Sequence, residues 1–167
     1  MGTAQQLIDR LCLKPHPEGG YFRETYRSSE HIEQDALPRR YTGARSFGTA
    51  VYYLLTAETF SAIHRVKTDE MWHFYCGDSV EMLQLSPDGS GFMTTLGSDI
   101  EKGTQLQAVV PWGTWRGARP VQGGRHALLG MTVAPGFEFT DFQLGRRHEL
   151  LHSHPSYKAM IIALTRE

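Results

Sequence analysis

The stretch SAIHRVKTDEMWHFYCG, residues 61–77, reads as two strands around a short turn. Alternate residues of a strand share a face, so Phe60, Ala62, His64 and Val66 point one way and Ser61, Ile63 and Arg65 the other. After Lys67-Thr68-Asp69, the set Glu70, Trp72, Phe74 and Cys76 shares a face, opposite Met71, His73 and Tyr75. With Phe60 and Ala62 turned inward, His64 follows them, and Glu70 joins it over two aromatic side chains. Buried carboxylates are rare without a task. His64 and Glu70 therefore read as an acid–base pair or polar anchor at the bottom of an organic-ligand pocket, with a hydrogen-bonded pair that merely fixes the hairpin as the plainer alternative. His73 falls on the other face.

Working outward, the text from about Tyr21 to Leu144 is rich in β-branched and aromatic residues and broken by glycine turns. Strands are expected at 21–27, 49–55, 60–66, 71–76, 80–85, 92–96, 105–110, 126–133 and 138–144. Short strands at this spacing suggest a sandwich or barrel, not alternating β and α units. Residues 3–12 read as a short helix with Thr3 as N-cap, and the C-terminal part is helical, with Pro155 as a first helical residue. The polar stretch SSEHIEQDALPRRYTGAR (28–45) is long enough to be a mobile lid or a crossing loop.

At 167 residues the chain is expected to form one domain, its barrel over about 20–145 and its C-terminal helices over about 146–165. Forty per cent hydrophobic residues place it among ordinary globular proteins. A formal charge of −1, with no basic patch beyond Arg39-Arg40 and Arg146-Arg147, argues against nucleic-acid and acidic-membrane partners. Cys12 and Cys76 are too few for a disulfide framework and lack an activating base nearby in sequence. The opening MGTAQQLIDRLCL has no secretory pattern and no apolar run approaches a membrane span, so the expected location is the cytoplasm.

The motif residues then carry a family likeness. The spacing from His64 through Glu70 to Gly77 resembles the first motif of the cupins, H-x-H-x3-E-x6-G, and Pro111-Trp112-Gly113-Thr114-Trp115-Arg116 resembles their second, P-x-G-x2-H. PHPEGGYFRETYR (15–27), HRVKTDEMWHFYCGD (64–78) and VAPGFEFTDF (133–142) are similar to the DUF985 branch of that superfamily. The resemblance implies a mainly β fold, a double-stranded β-helix (jelly-roll barrel) with short terminal helices, commonly paired as a homodimer, with small molecules bound inside. Cupins that hold a metal use two histidines and a glutamate from the first motif and a histidine from the second. Here Val66 and Arg116 stand at two of those four positions. Transition-metal sites usually need three protein ligands and a guanidinium repels a cation, so no metal and no other cofactor is expected.

Trp72, Phe74, Trp112 and Trp115 are expected to crowd the barrel interior, where aromatic walls suit planar rings and the apolar faces of sugars. Arg116, and Arg23 with Tyr26 from the first strand, are candidate contacts to an anionic ligand part. That strand reads with Tyr21, Arg23, Thr25 and Arg27 on one face and Phe22, Glu24 and Tyr26 on the other; a solvated edge strand is the alternative. PHPEGG is not a phosphate loop, because its glycines precede a strand. His148, His152 and His154 read as surface histidines.

Three functions remain open. The first is a metal-free isomerase or epimerase on a sugar- or nucleotide-like molecule. Cupin-fold deoxysugar epimerases, which the chain resembles, place their catalytic histidine at the His64 position, although Ser61 and Val66 replace their neighbouring arginine and glutamine. The second is a non-catalytic module binding a nucleotide, purine or sugar. The third is a metal-dependent enzyme using His64 and Glu70.

Overall fold

The computed structural model describes residues 2–166. The decisive hairpin forms as β6 (Ser61–Arg65) and β7 (Glu70–Gly77). Before it come β1 (Lys14–Pro15), β2 (Tyr21–Arg27), β3 (His31–Ile32), β4 (Arg45–Ser46) and β5 (Thr49–Thr56). After it come β8 (Val80–Leu85), β9 (Gly91–Leu96), β10 (Gln107–Val110), β11 (Trp115–Pro120), β12 (His126–Val133) and β13 (Gln143–Leu144). Two sheets face each other, one in the order β1-β2-β5-β12-β7-β10, the other β13-β6-β11-β8-β9, and all their strand pairs run antiparallel. The protein is mainly β, with the jelly-roll architecture that the sequence suggested.

Period-two patterning builds the interior. Along β7, Glu70, Trp72 and Phe74 are buried while Met71 and Tyr75 are exposed. Trp72, Phe74, Leu55, Met82, Leu96 and Leu129 fill one half of the barrel from both sheets. Helix α1 (Ala4–Arg10), capped by Thr3 and Gln6 as a capping box, covers Leu54 and Leu128 on the outside of the larger sheet. Helices α2 (Arg147–Ser153) and α3 (Lys158–Ala163) bury Leu150, Ile161 and the following Leu164 against Ile63, Leu83 and Leu85 outside the smaller one. Each such side chain contributes roughly 1.5–3 kcal/mol by leaving water. His154 lies at this junction, buried, with Nε2 against the Ser86 carbonyl at 2.9 Å, so it is not the surface histidine expected.

Three further expectations change, and one is narrowed. Residues 138–144 are not a strand: Phe139–Asp141 is a 3-10 turn and only Gln143–Leu144 pairs with β6. Residues 115–120, read as a motif, are a full strand between β6 and β8. The 28–45 stretch is a crossing loop, one of the two forms expected of it. Its β3–β4 ladder is anchored by buried Arg45, whose Nε and Nη2 donate to Asp141 at 2.7 and 2.6 Å.

The last change is the phase of β2. Its register passes from Glu24↔Val51 to Tyr26↔Ala50, leaving Thr25 as a bulge residue whose hydroxyl donates to the Ala50 carbonyl at 3.1 Å. A bulge re-aims every later side chain. Phe22, Glu24 and Arg27 consequently line the interior, and Tyr26 turns out to solvent.

Gly77, which ends the opening motif, has φ +108°, and a Cβ there would sit 2.3 Å from the His126 carbonyl oxygen. Only glycine accommodates this approach of β7 to β12. Gly77→Ala is therefore expected to lower unfolding free energy by about 2–4 kcal/mol, read by urea denaturation. An unchanged midpoint would contradict the packing described.

Candidate functional site

The half of the barrel that the core does not fill holds a cavity of about 110 Å³. Its walls are apolar, with Val51 and Tyr53 from β5, Met131 and Val133 from β12, and Phe22 from β2. The segment after β12 closes over it with Phe137, Phe139 and Phe142.

The polar end consists of two crossed ion pairs. Residues 15–20 bend sharply through Gly19 and Gly20, both at positive φ, and carry Glu18 into the interior. A Cβ on Gly19 would meet the Phe60 carbonyl oxygen at 2.0 Å. Glu18 Oε2 lies 2.8 Å from His64 Nε2, and Glu18 Oε1 accepts from the Ser61 hydroxyl at 2.9 Å. Ser61 reaches the same carboxylate as His64 because β6 also carries an extra residue: Arg116 pairs His64, but Ala118 pairs Ser61. In the second pair the Arg116 guanidinium contacts Glu70, which also accepts from Trp72 Nε1 at 3.3 Å. Arg116 Nη1 donates to the His64 carbonyl at 3.2 Å, tying the two pairs together.

Proton positions follow from this accounting. His64 Nδ1 donates to the Ala62 carbonyl at 2.6 Å. Burial by itself raises the Glu18 carboxyl, but the charge and hydrogen bond of His64, then His16 and Arg116, outweigh it and lower the group to about 2. Glu18 is therefore held as a carboxylate, with His64 Nε2 against it at 2.8 Å. His16 completes the group: its Nδ1 accepts the Glu18 backbone N–H at 3.2 Å, and burial lowers its pKa against the pull of Glu18. Burial, reinforced by the Glu18 charge, pushes the Tyr53 phenol well above its ordinary value, and it donates to the Gly19 carbonyl at 2.7 Å. At the mouth Arg27 binds Glu24 at 2.8 Å and Glu138 at 2.7 Å, and donates to the Phe137 carbonyl at 3.1 Å.

His64, Glu70 and Arg116 thus line one cavity, but His64 and Glu70 are not each other's partners. The other expected contacts lie elsewhere. Trp72 and Phe74 are in the packed core. Trp115 packs toward the C-terminal helices under the Arg65 guanidinium. Trp112 is exposed on the turn that Asp69 holds through the Trp112 N–H at 2.7 Å. Arg23 lies over Tyr52 outside the sheet and Tyr26 faces solvent. Sequence reasoning missed His16, Glu18 and the three phenylalanines of 137–142. The signals present were a carboxylate beside Gly-Gly and the alternation in GFEFTDF.

The comparisons now decide the family. The model of the cupin superfamily described as DUF985 matches residues 5–145. The chain belongs to the cupin superfamily. It is similar to the uncharacterized protein YML079W of Saccharomyces cerevisiae, 30% identical across 96% of this chain and 85% of that one. The crystal structure of SO0799 from Shewanella oneidensis superposes with a TM-score of 0.88 at 35% identity, covering 99% of both chains. A hypothetical protein from Leishmania major gives 0.88 at 29% identity over 99% of this chain and 100% of that one. Oxalate decarboxylase from Bacillus subtilis, at 15% identity and a TM-score of 0.54 over 90% of this chain and 36% of that one, shares the fold.

The donor set of this cupin does not fit a metal. Val66 is a buried apolar side chain, and the Arg116 guanidinium holds Glu70. Among the described residues no three His, Cys, Asp or Glu side chains are grouped to hold an ion. Among them, too, no helix is long and apolar enough to cross a membrane.

The depressed Glu18 carboxyl makes a pH prediction. A group ordinarily near 4.5 and lowered to about 2 in the folded chain stabilises it above 4.5, and that contribution disappears as pH falls from 4.5 toward 2. Glu18→Gln is expected to cost on the order of 3 kcal/mol at pH 7 and to flatten the acid limb of stability, measured by urea unfolding at pH 7 and pH 3. A parallel acid limb in the variant would refute the linkage.

Proposed function

We propose that the chain is a small-molecule-binding cupin that takes a sugar-like ring, or the ring of a nucleotide, into the barrel without a metal. The lining carries this reading. An engineered apolar cavity of about 150 Å³ in another protein holds one benzene, so about 110 Å³ with an open mouth suits a single ring and little more. Phe22, Phe139 and Phe142 offer apolar faces to it. A nucleotide's phosphates would remain at the mouth, where Glu24 and Glu138 outnumber Arg27. A monosaccharide-sized ligand is therefore favoured over an intact nucleotide.

A thermal-shift screen of monosaccharides, nucleosides and nucleotides tests this. A ring ligand at 100 times its Kd is expected to add about 2.7 kcal/mol to stability, and Phe142→Ala should weaken its binding about tenfold. Stabilisation by none of these compounds would sink the reading.

A second reading, a proton-moving isomerase or epimerase, is favoured by the gathering of His16, Glu18, His64, Glu70 and Arg116 at one apolar cavity. The Glu18–His64 pair holds a proton donor and an acceptor in contact. Moving a proton between neighbouring carbons of a ring ligand requires both. Ligands found in the screen should then take up solvent deuterium in D2O, seen by NMR, and His64→Ala should abolish the uptake. Binding without uptake would leave the non-catalytic module.

The homodimer that the resemblance implies is a proposal of the same kind. Met71 and Val109 pair in register on the outer face of β7 and β10, with Tyr75 exposed further along β7. Light scattering should return twice the 18.9 kDa chain mass, and a monomer at micromolar concentration would exclude a stable pair.

A further inference from the structure

We infer that His16 is the hydrogen-bond donor that the cavity offers its ligand, and that it selects an uncharged ring bearing an oxygen acceptor, a carbonyl or hydroxyl, over charged rings of the same size. This inference rests on the ring-binding reading above and adds the polarity of the ligand and the residue that reads it.

Glu18 is held by Ser61 and His64, and Glu70 by Arg116 and Trp72. Both nitrogens of His64 face oxygens, and the Tyr53 hydroxyl donates to Gly19. Arg27 is divided between Glu24 and Glu138. His16 differs. Its Nδ1 accepts the Glu18 N–H, so in the neutral ring the proton is on Nε2. That atom, on a ring lining the cavity, has no hydrogen-bond partner among the described residues. Phe22 meets the ring edge-on at 4.6 Å, and Phe139 stacks with it at 6.2 Å. Burial favours the uncharged ring. The result is a neutral N–H donor set among aromatic walls, which matches one oxygen of a ring whose apolar face meets those walls.

Charge decides the rest. At the floor two carboxylates, Glu18 and Glu70, are each already paired, Glu18 with the His64 ring and Glu70 with the Arg116 guanidinium. An added anion would find Arg116 already neutralised by Glu70 and would pass the acidic mouth to reach it. An added cation would find Glu18 and Glu70 already paired at the floor, and Glu24 and Glu138 shared with Arg27 at the mouth. Neither recovers its lost hydration, whereas a carbonyl oxygen needs only the one donor.

The test uses four six-membered rings differing in one group: cyclohexanone, methylcyclohexane, cyclohexanecarboxylate and cyclohexylammonium. Each is titrated by ligand-observed NMR into the full chain and into His16→Phe and His16→Gln variants checked for folding by circular dichroism. Cyclohexanone is expected to lose about tenfold in affinity in His16→Phe and to keep most of it in His16→Gln, which retains a donor. Methylcyclohexane should bind the three chains alike, and both ions should bind more weakly than the ketone. In the unsubstituted chain, the His16 imidazole nitrogen resonances should move with cyclohexanone and not with methylcyclohexane, a readout that needs no variant. Cyclohexanone bound equally by His16→Phe, unmoved His16 resonances on binding, or an ion bound more tightly than the ketone would overturn the inference and leave ring binding standing. Failure of both uncharged rings to bind would also overturn the inference, and the ring-binding reading falls with it where the monosaccharides and nucleosides of the screen fail too.

Discussion

A carboxylate taken out of water is tolerated only where a cation and hydrogen-bond donors replace its hydration. Glu18 meets that condition with the His64 ring and the Ser61 hydroxyl, and nearly every unusual local feature of the site serves the contact. The Gly19-Gly20 bend brings the carboxylate in. The extra residue in β6 brings Ser61 onto the same side as His64. The Glu18 carbonyl accepts the Ala62 N–H at 2.9 Å, which fixes residues 15–20 to the strand beneath. Removing one partner would leave a charge with nothing to answer it.

The second ion pair accounts for an arginine where the resemblance to metal-holding cupins leads one to expect a histidine. Arg116 brings a positive charge into the interior, and Glu70 balances it. Glu70 also accepts from Trp72, whose indole belongs to the packed half of the barrel. The carboxylate thereby marks the boundary between a filled half and an open half. His64 and Glu70 stand close in sequence, yet each has a different partner.

The fold was legible because period-two patterning reports burial directly. The alternation along Glu70–Tyr75 and the boundaries of Tyr21–Arg27, Val80–Leu85 and His126–Val133 follow from side chains alone. The Thr25 bulge was not legible, since an inserted residue leaves the composition of a strand unchanged while turning Arg27 inward and Tyr26 outward. Trp115–Pro120 was missed as a strand because Arg116 and Gly117 interrupt its apolar pattern, although Arg116 is buried by its ion pair. Glu18 was invisible for a related reason. A carboxylate in a glycine turn ordinarily points to solvent, and only the long-range partner His64 makes its burial possible.

The aromatic walls show the same dependence on tertiary context. Tryptophan is the residue expected to stack on a ring, yet the three tryptophans serve the core, the helix contact and the surface. The walls come from phenylalanines, which bring no donor of their own. A cavity built this way needs a separate polar group to orient what enters. The floor ion pairs are poorly placed to supply it, because each carboxylate is already paired and the unpartnered Arg116 Nε is fully buried. Orientation therefore falls to a group at the junction of floor and wall, and His16 is placed there, against Glu18 on one side and Phe22 and Phe139 on the other.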